Sequence, residues 1–517
     1  MENHEKFLHG RLDPGIESTV QLVEGVESPD TSTFSSSQDA PSPILSYAKN
    51  AVFPGIRSSN ETRLKLAHLP VELIRQISSY LSPCDLIKFG KTCKTLSEVA
   101  KTDFLWRRLV QENVPGINLD SPSPCESFKE LYKAHDPHWF LTKNKIWFAD
   151  VPNFGQLIIS KYHPETGSIR LHRLMAQRSP PQFAAWEDDS QVIVHSFDPV
   201  VHLSKHNLRL DLDAYSHRSL SDMGEAERRL NGEVQMTRED EGFDSRAYSK
   251  FMLAKTFVFE NPPSLPQADK WPPPNIPAKS RVPRTSVCAQ QSSSSSCCRL
   301  GDRSQIDEES FRTRQWLEMN GLVRIGEQVC TWSTLDFSLY TPTEDKPYSG
   351  IFVGDYSGHG AEFLLIDHRD GSRRHEESNI SDRKEDESLE AWEARKKHAR
   401  IYKGSLVATK LTGDPNIPRG EVSWVADDIG EKGLVRYGDQ AWPGARIVKS
   451  RGQIANEGYI YPKFIQTQLI MISHDVLAQY WVPFGHISFF RRVDIDALVK
   501  LEPGMLASGM MSPLYST

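Results

Sequence analysis

"LPVELIRQISSYLSPCDLIKFGKTCKTL", residues 69–96, decides how the rest of this chain is read. Leu73, Ile77, Tyr80 and Leu81 fall at i, i+4, i+7 and i+8, the spacing of one helix face. Ser82-Pro83-Cys84-Asp85 then restarts the helix. Ser82 suits the N-cap, Pro83 the first helical position, and Asp85 the third, near the positive end of the helix dipole. Leu86 and Phe89 face inward on this second segment, and Thr92, Cys93, Leu96 and Val99 continue its helical spacing. Asp103 can cap a third helix that presents Leu105, Trp106 and Leu109. Three short amphipathic helices make only a small core, so some apolar side chains stay outside it. On pattern alone this is equally a generic helical subdomain packed on its neighbour.

The same residues closely resemble the F-box motif: Leu69-Pro70, a hydrophobic helix, "YLSPCDL", then Cys93 and Leu96, with Trp106 near the end. The resemblance implies a trihelical module that docks on a Skp-type adaptor within a cullin-RING ubiquitin ligase. It further implies that Leu69, Pro70, Leu73, Ile77, Leu81, Leu86 and Phe89 supply apolar contacts, some to the adaptor and some to the module's own core. A helix laid into a groove, held by a few apolar anchors, is the physics such docking uses.

Outward from this block the composition changes. The first 62 residues are rich in Ser, Pro, Asp and Glu and are expected to be disordered, because they bury too little apolar area to offset ordering entropy. The Ser-Pro pairs at Ser28-Pro29 and Ser42-Pro43 are compatible with phosphorylation. After an F-box at 63–112 comes a linker helix and the first part of a β domain, 113–260, with runs such as "QLIISKY", "QVIVHSF" and "VVHLSKHNLRLDL" bounded by turn residues. A Pro/Ser-rich insertion at 261–312 precedes the second part of the β domain, 313–500, which carries a charged insertion at 370–402. A tail at 501–517 ends the chain. The expected fold class is α+β, a small helical F-box followed by a mainly antiparallel, barrel-like β domain with long insertions. No repeat of fixed period is present, which excludes leucine-rich, WD and kelch readers.

Three later stretches resemble the C-terminal domain of the F-box only protein 31 type: "GIFVGDYSGHGAEFLLI" (350–366), "TKLTGDPNIPRGEVSW" (409–424), and "RGQIANEGY" (451–459) followed by "GHISFFRRV". A related pattern occurs in plant F-box and chloroplast stress-signalling proteins. The family's Gly-x-Gly-x-Ile-Ala is here Ser450-Arg451-Gly452-Gln453-Ile454-Ala455. Residues 138–178 resemble what fungal F-box proteins carry after the motif, which implies a fungal member.

The glycine-rich loop fails the catalytic templates. Ser357 is flanked by Asp355 and His359 where a nucleophile elbow needs glycines, and the P-loop lysine is absent. Ser357, His359 and Asp414 are an in-principle triad without supporting spacing. His359, His368 and His375 lack the i, i+4 spacing of a metal helix, and Cys297-Cys298 has no second ligand pair, so no metal and no cofactor is expected. A plain hairpin, with Gly358 and Gly360 at positive φ, explains the loop structurally. Asp414, Thr412, Asn416 and His359 are candidate substrate contacts: an acid and hydrogen-bonding groups in a proline-stiffened loop at a barrel mouth. Asp before Pro equally often just organises its own turn.

A net charge of −7 and a pI near 6.2 argue against nucleic-acid binding. No apolar run of about 18 residues suggests a membrane span, and seven irregularly spaced cysteines read as reduced thiols of cytoplasm or nucleus. The leading expectation is a non-catalytic substrate-recognition subunit of an SCF ubiquitin ligase, its partners the Skp adaptor, the cullin-RING core and an unknown protein target. The alternatives are a hydrolase- or transferase-like β domain fused to an F-box, and an F-box scaffold working outside a ligase.

Overall fold

The computed structural model describes residues 66–501 apart from 151–154, 179, 181, 215–232, 240–246, 258–269, 274, 275, 277–280, 284–305, 320–322, 371–382, 385 and 386. The N-terminal segment with its Ser-Pro pairs, His375, Cys297 and Cys298 lie outside the described residues.

After a 3-10 turn at Leu66–His68, four helices follow in close order: α1 Val71–Ser78, α2 Pro83–Gly90, α3 Lys94–Ala100 and α4 Asp103–Asn113. The expected second helix is therefore two. Lys91 and Thr92 close α2, and extended Cys93 caps a fresh start at Lys94. Ser82 caps α2 as its position implies: its hydroxyl accepts the Asp85 amide (3.2 Å) and donates to the Asp85 carboxylate (2.8 Å), with Pro83 in the first turn. Asp103 does not cap α4. Thr102 holds the N-cap position, and the Asp103 carboxylate accepts the Phe128 amide at 3.0 Å, tying α4 to α5 Phe128–His135. The short helix α6 Phe140–Lys143 leads into the strands.

The expected single β domain is two closed barrels. The first uses β1 Ile146–Ala149, β2 Leu157–His163, β3 Ser168–Arg178, β6 Pro199–Leu210, β7 Val234–Glu239, β8 Ala247–Phe257, β11 Ile306–Met319 and β12 Val323–Thr334, in the order β1-β12-β11-β8-β7-β6-β3-β2. The strand β11 begins inside the stretch read as an insertion. Between β3 and β6 the chain leaves this barrel as the hairpin β4 Phe183–Trp186 and β5 Asp189–His195, and β9 Lys270–Trp271 pairs with β10 Val282–Pro283.

A short helix, α7 Phe337–Tyr340, leads to the second barrel. It comprises β13 Gly350–Asp355, β14 Ala361–Arg369, β15 Ser405–Lys410, β16 Val422–Ala426, β18 Arg446–Asn456, β19 Ile460–Met471, β20 Val476–Trp481 and β21 His486–Arg492, closed by pairing of β13 with β21. Strand β17 Leu434–Tyr437 adds to β18, and β5 adds to β21 in parallel, so a piece of sequence from the first barrel's meander is built onto the second. The charged insertion yields the helix α8 Leu389–Ile401, capped by Ser388, and α9 Ile495–Lys500 follows the last strand.

Both faces of many strands are buried, which gives three cores. Trp147, Ile158, Leu171, Leu253, Phe311 and Trp332 fill the first barrel and merge with the helical block through Leu86, Leu96, Trp106 and Leu131. An aromatic ladder carries this contact: Trp106 to Tyr132 (5.5 Å between ring centres), Tyr132 to Trp139 (6.3 Å), and Trp139 to Tyr162 (5.8 Å). Alternate residues of the same strands, Ile146, Phe148 and Ile159, pack against Ile351, Val353 and Phe489 between the barrels. Phe352, Leu364, Trp424, Leu469 and Phe490 fill the second barrel. The period of two, with apolar residues on both faces, accounts for strands such as β13 that are buried throughout.

Candidate functional site

In α1 the two adjacent apolar residues Leu73 and Ile74 part company. Ile74 is 1% exposed and enters the core, followed by Ser78, whose hydroxyl donates to the Ile74 carbonyl (2.7 Å). The stripe picked out by spacing does the opposite: Leu73 is 46% exposed, Ile77 42% and Tyr80 82%, with Leu66 and Val71 exposed beside them. A short helix thus presents a row of large apolar side chains to solvent, the kind of surface that ordinarily marks an interaction site.

The other residues named for adaptor contact divide by burial. Pro70 is exposed, while Leu69, Leu81 and Phe89 are half-buried against the helical core. Leu86 is 1% exposed, so within that set it falls on the side of the module's own core. Val71 and Tyr80 were absent from the expected contact set. Their exposure is legible only after Ile74 is known to face inward.

The loop residues form a different kind of site. Asp414 is 4% exposed, and its carboxylate is fully engaged. One oxygen accepts the amides of Asn416 (2.7 Å) and Ile417 (2.6 Å), and the other meets the ammonium of Lys410. Lys410 also lies 2.9 Å from Glu362 and sits 4.1 Å from the Tyr356 ring centre, while the Tyr356 and Ser423 hydroxyls are 2.6 Å apart. Burial pushes Glu362 up to about 8 against the opposing pull of Lys410. Burial acts the same way on Asp414, but Lys410 and the Ile417 amide outweigh it and hold that carboxyl below its usual range.

The Thr412 hydroxyl accepts the Phe363 amide (2.8 Å), and the Asn416 side chain donates to the Ala455 carbonyl (2.8 Å). Arg419 pairs with Asp150, so the loop is held against the first barrel as well. As placed, Asp414, Thr412 and Asn416 are spent on internal bonds and organise the loop rather than offering free groups.

His359 stands apart, exposed on the 3-10 turn Ser357–His359 that joins β13 to β14. Here the positive φ values belong to Ser357 (51°) and Gly360 (87°), correcting the expectation for Gly358. The Ser357 amide and Arg178 both bond Asp355, whereas Asp414 is taken by Lys410, so the in-principle triad is not assembled. His368 is buried, its ring 2.7 Å from the Lys403 carbonyl. Among the described residues, no three His, Cys, Asp or Glu side chains are placed to hold a metal ion, and no helix is long and apolar enough to cross a membrane.

Two family models match the chain. One, described as F-box-like, covers residues 66–112, the span from the 3-10 turn through α4. The other, described as Cyclin D1 binding domain, covers residues 332–497 and takes in the whole second barrel. Protein EXECUTER 1, chloroplastic, of Arabidopsis thaliana is 23% identical over 170 residues, 30% of this chain and 22% of that protein. The chain therefore spans about a fifth of this relative's length. An F-box-like helical domain followed by antiparallel β-barrels is the architecture of this protein.

Proposed function

We propose that this protein is the substrate-recognition subunit of an SCF-type ubiquitin ligase. The observation that carries the reading is the solvent-facing row formed by Leu73 and Ile77 on α1 and Tyr80 in the turn after it, within a domain that matches an F-box-like model. These side chains dock into the groove of a Skp-type adaptor, and the second barrel binds the protein to be modified. The aromatic ladder from Trp106 to Tyr162 supports this division of labour, since it couples the docking helices to the barrels as one packed body. Ubiquitin transfer itself belongs to the partner enzyme, and cytoplasm or nucleus is where such a ligase works.

The finer reading, a fungal relative of the F-box only protein 31 type, rests on the "TGDPNIP" string and the residues around it. The match of the second barrel to a model named for cyclin D1 supports a cyclin-like target. In this proposal Asp414, Thr412 and Asn416 hold the shape of the target-binding face, and His359 touches the target from the hairpin tip.

Co-purification tests the adaptor step. The full chain is expected to capture a Skp-type adaptor and cullin, and Leu73→Glu/Ile77→Glu to lose both while keeping its circular dichroism. Retention of both partners by that variant overturns the proposal.

A further inference from the structure

We propose that the outer edge of β19 docks an extended, acidic segment of a target protein as one further strand. β19 pairs with β18 from Met471 down to Ile460 near the tip, but with β20 only from Gln468 to Met471. Beyond Trp481 the neighbouring chain turns off into the 3-10 turn Val482–Phe484. Among the described residues, no backbone bond reaches the outer side of residues 460–466. A row of unpaired N–H and C=O groups of that length, about 23 Å at 3.3 Å per residue, is a template for another strand.

The side chains point to the same use. Ile460, Tyr461 and Phe464 are 40–80% exposed, and Phe484 stands exposed where the chain leaves β20. Tyr459 and Tyr461 flank Ile460 with φ of 60° and 53°, a left-handed backbone that tyrosine adopts only where its surroundings hold it. The proline-stiffened loop does the holding. The Asn416 side chain bonds the Ala455 carbonyl, the Gly458 amide donates to the Pro415 carbonyl, and the Tyr459 hydroxyl donates to Glu421 (3.0 Å). The loop thus braces the hairpin tip and leaves the outer edge of β19 bare.

Charge selects the occupant. In antiparallel pairing of residues 460–466 with a second copy of themselves, Lys463 falls opposite Lys463, and Pro462 lacks a donor. Both features disfavour self-pairing. From Arg446 to Met471 the hairpin carries Arg446, Lys449, Arg451 and Lys463 against the single acid Glu457. Arg451, 5.3 Å from the Phe464 ring centre, is paired with Asp427, while Lys449 and Lys463 have no ion pair among the described residues. An acidic residue set between apolar ones matches Lys463 between Ile460 and Phe464. Backbone bonds supply the affinity and alternate side chains the specificity.

The target role of this edge rests on the receptor reading above; its capacity to accept a strand does not. Fluorescence anisotropy on the full chain separates them, with a labelled, end-blocked Thr-Val-Thr-Val-Glu-Val-Thr-Val-Thr peptide that reads the same in either strand direction. Its relatives carry Lys in place of Glu, N-methyl groups on the valines, or N-methyl groups on the threonines and the glutamate. The parent peptide is expected to bind about tenfold or more tightly than the Lys peptide, and Lys463→Glu to reverse that preference. One N-methylated peptide should lose binding and the other keep it, because alternate amides of a strand face its neighbour. Ile460→Thr/Phe464→Thr should weaken binding of the parent peptide, and Lys463→Glu carries the test alone if that variant loses its circular dichroism. Absence of parent binding, equal effects of the two N-methylation patterns, or a charge preference unchanged in Lys463→Glu overturns the proposal. So does a dimer in sedimentation equilibrium that Ile460→Thr/Phe464→Thr dissociates, since the occupant is then a second copy. Adaptor capture is read on the same preparation. Capture retained with peptide binding absent sinks the edge alone, and capture lost with peptide binding present sinks the receptor reading alone.

Discussion

Arg178 Nη1 lies 2.9 Å from Oδ1 of Asp355 and 3.1 Å from the carbonyl oxygen of Ser357, binding the last residue of β3 to the turn after β13. The hairpin tip of the second barrel is thus positioned by the first. Asp355 is 2% exposed, and Arg178 is its cationic partner. Removing one member of such a pair leaves the other uncompensated. Arg178→Ala is expected to cost about 2–3 kcal/mol in urea unfolding, the partial exposure of the arginine keeping it below the fully buried case. Arg451→Ala, which breaks a pair exposed on both sides, is expected to cost less than about 0.5 kcal/mol. Equal effects in the two variants would show that the Arg178 contact does not hold the tip.

The two faces of α1 are expected to separate stability from binding. Ile74→Ala opens a cavity in the helical core and should cost about 2–4 kcal/mol, lowering the thermal midpoint. Leu73→Ala and Ile77→Ala remove exposed side chains and should change stability by no more than about 0.5 kcal/mol. Under the adaptor proposal the second pair weakens capture and the first does so only through unfolding. Thermal melts run beside pull-downs decide between these outcomes.

How much of this was legible in the sequence depends on the range of the interaction. The start of α2 was readable because Ser82, Pro83 and Asp85 act within one turn, and β13 and β14 because apolar runs flank a glycine-rich turn. The direction of the α1 stripe was not, since Leu73 and Ile74 are both apolar and only the assembled core selects Ile74. The closing of two barrels was hidden by the β4–β5 excursion, whose pairing with β21 joins residues almost 300 apart. Asp414 looked available because its turn bonds are local, while Glu362, which shares Lys410 with it, lies 52 residues away.

Thiol chemistry offers an independent check of the barrel wall. Cys330 on β12 is 8% exposed, and burial pushes its thiol up to about 12, so it is protonated and shielded at neutral pH. Cys93, at the start of α3, is exposed. Iodoacetamide on the native chain is expected to alkylate Cys93 well before Cys330, with Cys330 reacting only in denaturant. Peptide mapping by mass spectrometry reads this directly, and early modification of Cys330 would contradict the closed first barrel.

Two buried groups set opposite limits on the pH range of stability. The His135 ring is buried, its Nε2 2.6 Å from the Gly167 carbonyl, and burial depresses its pKa to about 4 against an ordinary 6.5. The unfolded chain therefore binds a proton that the folded chain refuses, and stability falls as pH drops from about 6.5 toward 4. Glu362 runs the other way. Its folded pKa of about 8 lies above the ordinary 4.5, so its contribution is whole below 4.5 and is lost as pH rises through 8. His135→Phe removes the acid-side loss attributable to this group but also the bond to Gly167, so the slope between pH 4 and 6.5, rather than the absolute stability, is the quantity to compare. Glu362→Gln should flatten the slope between pH 5 and 8 while leaving Lys410 its pair with Asp414. Urea midpoints taken across pH 4–9 give both slopes. An unchanged alkaline slope in Glu362→Gln would mean that Lys410 keeps Glu362 ionised throughout, and that the buried cluster carries a net negative charge.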